Sequence, residues 1–199
     1  MILYMVRHGQ SEGNLGSPST DPPLTPLGHR QAELVARRAE ELGVDLLLSS
    51  PLTRAIQTAI RISEHVRVPI TVWAEIAEKG SSPPLPTRSE LASRYPLLEL
   101  EIEEEWWPGA ETEEEAYARA RLLESKLRDL GDETDVKVLM VGHGTFGAVF
   151  MSTLLGAPPC GYTRFSQNNC CISTFDLQPG RAKLVRSNDV SHLSGDMIT

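Results

Sequence analysis

Two histidines and two arginines are the residues of this chain best suited to chemistry. They lie in Arg7-His8-Gly9, in Ser50-Pro51-Leu52-Thr53-Arg54-Ala55 and in Gly142-His143-Gly144. An imidazole can attack as a nucleophile or move a proton near neutral pH, whereas a guanidinium keeps its charge and grips oxyanions with a planar fork that lysine does not reproduce. Phosphoryl transfer from a monoester needs both kinds of group. The ester is dianionic near neutral pH and surrounds its phosphorus with negative oxygens, so fixed positive donors must stand beside the nucleophile. Arg7, His8, Arg54 and His143 would supply a cationic cradle of that kind once a fold gathers them.

The elements around these residues read as a fold able to gather them. Ile2-Leu3-Tyr4-Met5-Val6 is an apolar, strand-favouring run that would carry Arg7 and His8 to its C-terminal tip. Val136 to Val141 is a second such run, ending in His143 between two glycines, and Leu46 to Ser50 is a third, whose following helix opens with Arg54. The carboxyl edge of an open parallel sheet is where α/β proteins bind ligands. Strands alternate with helical patterns, which predicts an α/β fold with a mostly parallel sheet and helices on both faces. Thr25 reads as an N-cap before Pro26, and Leu27, Leu34, Val35, Ala39 and Leu42 keep helical spacing until Gly43. Further helices are predicted over Leu52 to His65, from a Thr112/Glu115 capping box to about Leu130, and over Thr145 to Leu155.

These ordered motifs resemble the histidine phosphatases, the phosphoglycerate mutase-like superfamily. The resemblance runs from Arg7-His8-Gly9 through Asp21-Pro22-Pro23-Leu24-Thr25-Pro26-Leu27-Gly28 and Ser50 to Ala55, then to Gly142-His143-Gly144. Asn188-Asp189-Val190-Ser191-His192-Leu193 is similar to a C-terminal segment of the smaller phosphatases in that family. The resemblance implies one histidine nucleophile, and its place in the Arg-His-Gly motif makes it His8. Attack needs an unprotonated nitrogen, which Arg7, Arg54 and a protonated His143 would favour by lowering the pKa of His8. His143 would then donate to the phosphate in the transition state. The family carries an acidic residue after its third strand to protonate the leaving oxygen, and Ile70 to Gly80 offers Glu75 and Glu78. Glu75 is the expected acid because it comes first after the strand and precedes an apolar residue. Ser11 and Asn14 are expected as secondary phosphate contacts, with Gln10 or Thr145 nearby. No metal or cofactor is required by this chemistry.

The segment from about 80 to 110 differs from the rest, with a proline-rich entry, a short helix candidate at Thr87 to Tyr95 and the acidic-aromatic run Glu99 to Trp107. In this family the matching region caps the active site, so a cap insertion that sets substrate choice is expected in an otherwise single domain. Glu103 to Glu105 would repel anionic ligands if they face inward and aid solubility if they face outward; Trp106-Trp107 is a candidate contact for a homodimer. Consecutive glutamates without interleaved histidine read as a solvated face, not a metal site.

Composition sets outer limits. The 199 residues, 40% of them hydrophobic, suffice for one substantial core, and a net charge of −8 argues against general nucleic-acid binding. No apolar run approaches the roughly 20 residues of a membrane span, and no charged leader precedes the first strand, so the expectation is a cytoplasmic protein without membrane attachment. Cys160, Cys170 and Cys171 fit reduced thiols better than a disulfide framework. His29 and His65 fall in helical patterns as surface groups, and His192 reads as structural.

The functional expectation is a phosphomonoesterase acting on a small phosphorylated metabolite through a phosphohistidine. The alternative is a cofactor-dependent phosphoglycerate mutase, an isomerase that returns the phosphoryl group to another hydroxyl; the short chain and the Asn188 to Leu193 tail favour the phosphatase. A non-catalytic phospholigand sensor would lack one of the four core groups, and all four are present.

Overall fold

A computed structural model describes residues 1–130, 136–159 and 165–199. Seven strands form one sheet: β1 (Ile2–Arg7), β2 (Leu46–Ser49), β3 (Ile70–Trp73), β4 (Glu99–Glu101), β5 (Lys137–Gly142), β6 (Ile172–Gln178) and β7 (Arg181–Asp189). Their spatial order is β4-β3-β2-β5-β1-β6-β7, parallel from β4 to β1 and antiparallel at β6 and β7. Five helices connect them: α1 (Pro26–Leu42), α2 (Thr53–Val66), α3 (Arg88–Arg94), α4 (Glu113–Leu130) and α5 (Gly144–Leu154).

Alternation along β1 explains the three layers. Tyr4 and Val6 join Val35, Ala36, Ala39, Ala55, Ala59 and Ile62 of α1 and α2 on one face. Leu3 and Met5 join Ala120, Leu123, Leu127, Phe146 and Phe150 of α4 and α5 on the other. The predicted helix signals operate as physical caps. The Thr25 hydroxyl accepts the Gly28 N–H at 3.0 Å, Gly43 closes α1 in the left-handed region at φ +66, and Thr112 and Glu115 exchange hydrogen bonds at the start of α4. Helix α2 has no side-chain cap of its own from Leu52; the Asp21 carboxylate takes that place, accepting from the Thr53 N–H at 2.8 Å and from its hydroxyl.

The segment after β3 is more deeply built into the domain than a cap alone requires. Its Glu99–Glu101 stretch adds β4 to the sheet edge beside β3, a strand not expected from so short a Glu-Leu-Glu pattern. Trp106, expected as an exposed contact, is instead buried with Leu52, Ile56, Leu85 and Leu91, and its indole N–H donates to the Pro86 carbonyl at 2.7 Å. Glu103, Glu104 and Glu105 face solvent.

Cys170 and Cys171 are buried free thiols just before β6, where burial pushes the Cys171 pKa up to about 11 and raises that of Cys170 further. Cys160 lies outside the described residues. His29 is exposed, His65 stands within reach of Glu33 and Glu40, and His192 Nε2 contacts the Cys170 carbonyl at 2.9 Å. No helix among the described residues is long and apolar enough to cross a membrane.

Candidate active site

Strand register gathers the histidines. β1 and β5 run parallel with Arg7 opposite Gly142, so the next residues, His8 and His143, emerge side by side at the carboxyl edge with ring centroids 5.1 Å apart. Ser49 of β2 pairs with Val141, which brings Ser50 to the same edge, and Arg54 follows in the first turn of α2. A cleft of about 690 Å³ opens there, lined by Arg7, His8, Arg54, Glu78 and residues of the loop after β1.

The loop that carries His8 is held by close backbone contact. A Cβ on Gly9 would stand 2.5 Å from the Gly28 carbonyl oxygen, and one on Gly28 would stand 2.0 Å from the Gln10 carbonyl oxygen. Neither position admits a side chain without displacing this loop from α1. Thr58 adds a tie from α2, accepting the Gly9 N–H at 3.1 Å, and Asn169 donates to the His8 carbonyl at 2.9 Å.

Hydrogen bonds fix the His8 tautomer. His8 Nδ1 donates to its neighbour's carbonyl, Gly9 O, at 2.7 Å, leaving Nε2 as the acceptor, which receives the Arg54 Nε–H at 3.1 Å. Burial, then Arg54, hold the His8 pKa well below 6.5, against the opposing pull of the Gly9 carbonyl, with Arg7 adding to the depression. His8 is therefore neutral, and its Nε2 lone pair accepts from Arg54. The Ser50 hydroxyl accepts the Leu52 N–H at 3.3 Å and so has its proton free for His143 Nε2, 2.7 Å away. His143 Nδ1 is a buried atom with no partner among the described residues, free to serve as the donor when Ser50 gives its proton to Nε2. Burial, then Arg54, His8, Arg7 and Arg119, also keep His143 well below 6.5. These influences favour a neutral His143 over the protonated form expected from sequence. Arg7 anchors one nitrogen on the Gln167 carbonyl at 2.6 Å and keeps its Nε buried without a partner.

The two glutamates separate. Glu75 points away from the cleft, 3.5 Å from Lys126 of α4, and does not line it. Glu78 lines the cleft; its Oε1 accepts the Phe146 N–H at 2.7 Å and the Lys79 N–H at 2.9 Å, and its Oε2 accepts the Thr145 N–H at 3.3 Å. A turn at Ala74–Ile76 causes the separation, since it rotates the chain between them. Of the two glutamates that the sequence offers, Glu78 stands at the cleft and Glu75, the expected acid, does not.

Of the remaining expected residues, Ser11, Asn14 and Thr145 line the cleft. Asn14 Oδ1 accepts from the Ser11 N–H and hydroxyl and from Asn169, so its amide nitrogen is the remaining donor. Gln10 does not reach the cleft: it is buried toward α1, where its Oε1 accepts from Thr25 at 2.8 Å and its N–H donates to Gln31. Sequence reasoning missed Gln167, Lys79 and Tyr117 of the lining, and Ser50, Thr58 and Asn169 of the supporting bonds. Ser50 alone had a signal, its place in the motif before Arg54. No residue between 80 and 110 lines the cleft; Pro84, Leu85, Pro86, Glu90 and Arg94 border a neighbouring groove, where the Thr20 hydroxyl meets the Pro84 carbonyl.

An α/β domain with paired histidines and arginines at the carboxyl edge of its sheet defines a class suited to phosphoryl chemistry. The chain belongs to the histidine phosphatase superfamily (branch 1), whose family model matches residues 3–190. It is 30% identical to a probable phosphoglycerate mutase GpmB of Proteus mirabilis over 96% of this chain and 94% of that protein. It is 31% identical to the corresponding protein of Yersinia enterocolitica over 88% of this chain and 85% of that one. Among solved structures, a phosphoserine phosphatase of Entamoeba histolytica in complex with 3-phosphoglyceric acid superposes with a TM-score of 0.72 at 25% identity, covering 97% of this chain and 99% of that one.

Proposed function

We propose that this protein is a phosphomonoesterase that works through a phosphohistidine on His8. The observation that carries this reading is the pinned tautomer: Nδ1–H is committed to Gly9 O, so the Nε2 lone pair faces Arg54 at the cleft. Arg7, the Asn14 amide, His143 with its proton on Nδ1, and Arg54, once its Nε–H leaves His8 Nε2 for the phosphate, would hold the three non-bridging oxygens. His8 Nε2 attacks phosphorus, the bond from phosphorus to the bridging oxygen breaks, and that oxygen takes a proton from the Glu78 carboxyl group. The proton can enter with the ester monoanion, since the second phosphate ionisation falls near about pH 6. In the second half, the Glu78 carboxylate takes a proton from water, the water oxygen bonds to phosphorus and the P–N bond breaks. Neutral His8, protonated Glu78 and inorganic phosphate result.

The mutase reading is favoured by the names of the relatives at 30% and 31% identity. The hydrolase reading is favoured by the phosphoserine phosphatase of Entamoeba histolytica, which matches 97% of this chain at 25% identity. A phosphorus NMR time course separates the two readings, using chelator-treated protein, 3-phosphoglycerate with trace 2,3-bisphosphoglycerate, a panel of other monoesters and a His8→Ala control. Growth of inorganic phosphate, absent in the control, is expected. Formation of 2-phosphoglycerate without phosphate release would establish the mutase instead.

A further inference from the structure

Arg119 of α4 lies outside the cleft lining, yet it touches both structures that hold Glu78. One nitrogen, Nη1, donates to the Glu75 carbonyl at 2.7 Å and to the Ala77 carbonyl at 2.9 Å, gripping the turn that delivers Glu78. Its guanidinium carbon sits 3.7 Å from the ring centroid of Phe146, whose backbone N–H is the shortest of the Glu78 carboxylate's bonds. Nε and Nη2 complete the set with a bidentate pair to Glu111 at 2.7 and 2.6 Å, and the two side chains are only 13% and 6% exposed.

The arrangement has a specific consequence. A cation this buried is tolerable only because its donors are matched, and Glu111 supplies the counter-charge while the two carbonyls take the other nitrogen. The fork therefore fixes three things at once: the loop before Glu78, the start of α5 and the entry to α4. Lysine could not do so, having a single point of charge in place of a planar fork. Displacement of that loop would move the Glu78 carboxyl relative to the leaving oxygen and leave Arg7, Arg54 and His8, held by other bonds, where they are, while His143, the N-cap of α5, keeps its own tie to Ser50.

We propose that Arg119, locked by Glu111, is the positioning residue for the general acid, a role that rests on the Glu78 assignment above. Steady-state kinetics of Arg119→Met, Arg119→Lys, Glu78→Gln and the Arg119→Met/Glu78→Gln double variant test it, on 3-phosphoglycerate as alkyl ester and p-nitrophenyl phosphate as aryl ester. The alkyl leaving group needs a proton and the nitrophenolate does not. Arg119→Met should lower kcat/KM on the alkyl ester by about tenfold to a hundredfold, the range that small misplacements cost, with kcat/KM on the aryl ester little changed, since that ratio stops at transfer to His8 and excludes the shared hydrolysis step. Arg119→Lys should fall between wild type and Met. In the Glu78→Gln background, Arg119→Met should cause no further loss, because both act through one proton transfer.

Equal losses on the two esters, or a full further loss in the double variant, would overturn the proposal and leave Arg119 a structural residue. Should Arg119→Met not fold, Arg119→Lys, which keeps the charge but not the fork, carries the same comparison between esters. If Glu78→Gln itself spares the alkyl ester, the acid assignment fails, and that outcome is distinct from failure of the Arg119 role.

Discussion

Glu78→Gln is the perturbation whose size follows most directly from the structure. Glutamine is nearly isosteric with glutamate, and its carbonyl oxygen can keep the two shorter bonds now made to Oε1, from Phe146 at 2.7 Å and Lys79 at 2.9 Å. Its amide group would then oppose the Thr145 N–H, which bonds Oε2 at 3.3 Å. The structural cost is the loss of that one long bond, about 1 kcal/mol. The kinetic cost is chemical, because an amide cannot give up a proton to the leaving oxygen. General acid catalysis is worth about 10²–10⁴ in rate, or roughly 3–5 kcal/mol of barrier. The loss should fall on kcat/KM for alkyl phosphates and spare kcat/KM for p-nitrophenyl phosphate, because kcat/KM reports transfer to His8 and not the later hydrolysis in which Glu78 serves as base; the assay is kcat/KM for both esters, with Glu75→Gln as the comparison. Glu75→Gln should alter neither rate, since its carboxylate faces Lys126. Equal losses on both esters, or a loss in Glu75→Gln in place of Glu78→Gln, would refute this reasoning.

Other predictions follow from the same geometry. His143→Ala removes the Nδ1–H donor and should lower kcat by about 10²–10³ on either ester, measured at saturating substrate. Because the folded pKa of both His8 and His143 lies well below 6.5, the unfolded chain binds protons first as pH falls through 6.5. Stability should therefore be fully present above pH 6.5 and fall below it by up to about 1.4 kcal/mol per pH unit for each histidine; denaturant melts from pH 7 to 5 measure this, and a His8→Asn/His143→Asn variant should flatten the slope. Gly28→Ala drives a methyl group toward the Gln10 carbonyl and should cost about 1–3 kcal/mol, read as a lower Tm together with reduced activity.

Much of the site was legible because it depends on strand ends. Two apolar runs that each finish in a histidine announce parallel strands delivering imidazoles to one edge, and the β1–β5 register does the rest. The cap signals of α1 and α4 were likewise local, each written within a few residues at Thr25 and Thr112. What escaped the sequence depends on tertiary contact. Glu75 and Glu78 are three residues apart in the same loop, and tertiary contacts separate them: Glu78 meets the Phe146 and Thr145 N–H groups at the cleft, while Glu75 meets Lys126 beyond the Ala74–Ile76 turn. Gln10 stands two residues after His8, yet Thr25 and Gln31 draw its side chain and backbone toward α1. Trp106 follows five residues of which four are glutamates, Glu101, Glu103, Glu104 and Glu105, a context that reads as solvent-facing. It is buried because the segment folds back and the Pro86 carbonyl meets its indole N–H.

The central claim is that the phosphoryl group resides transiently on His8, and trapping it tests this most directly. A substrate labelled at phosphorus is mixed with the protein for a few milliseconds, quenched in alkali, where phosphohistidine survives, and the protein is digested and mapped. The account predicts an acid-labile phosphoryl group on the peptide containing His8, absent from His8→Ala, that decays as inorganic phosphate appears. Phosphate release at the normal rate with no labelled His8, or with the label on His143, would contradict it.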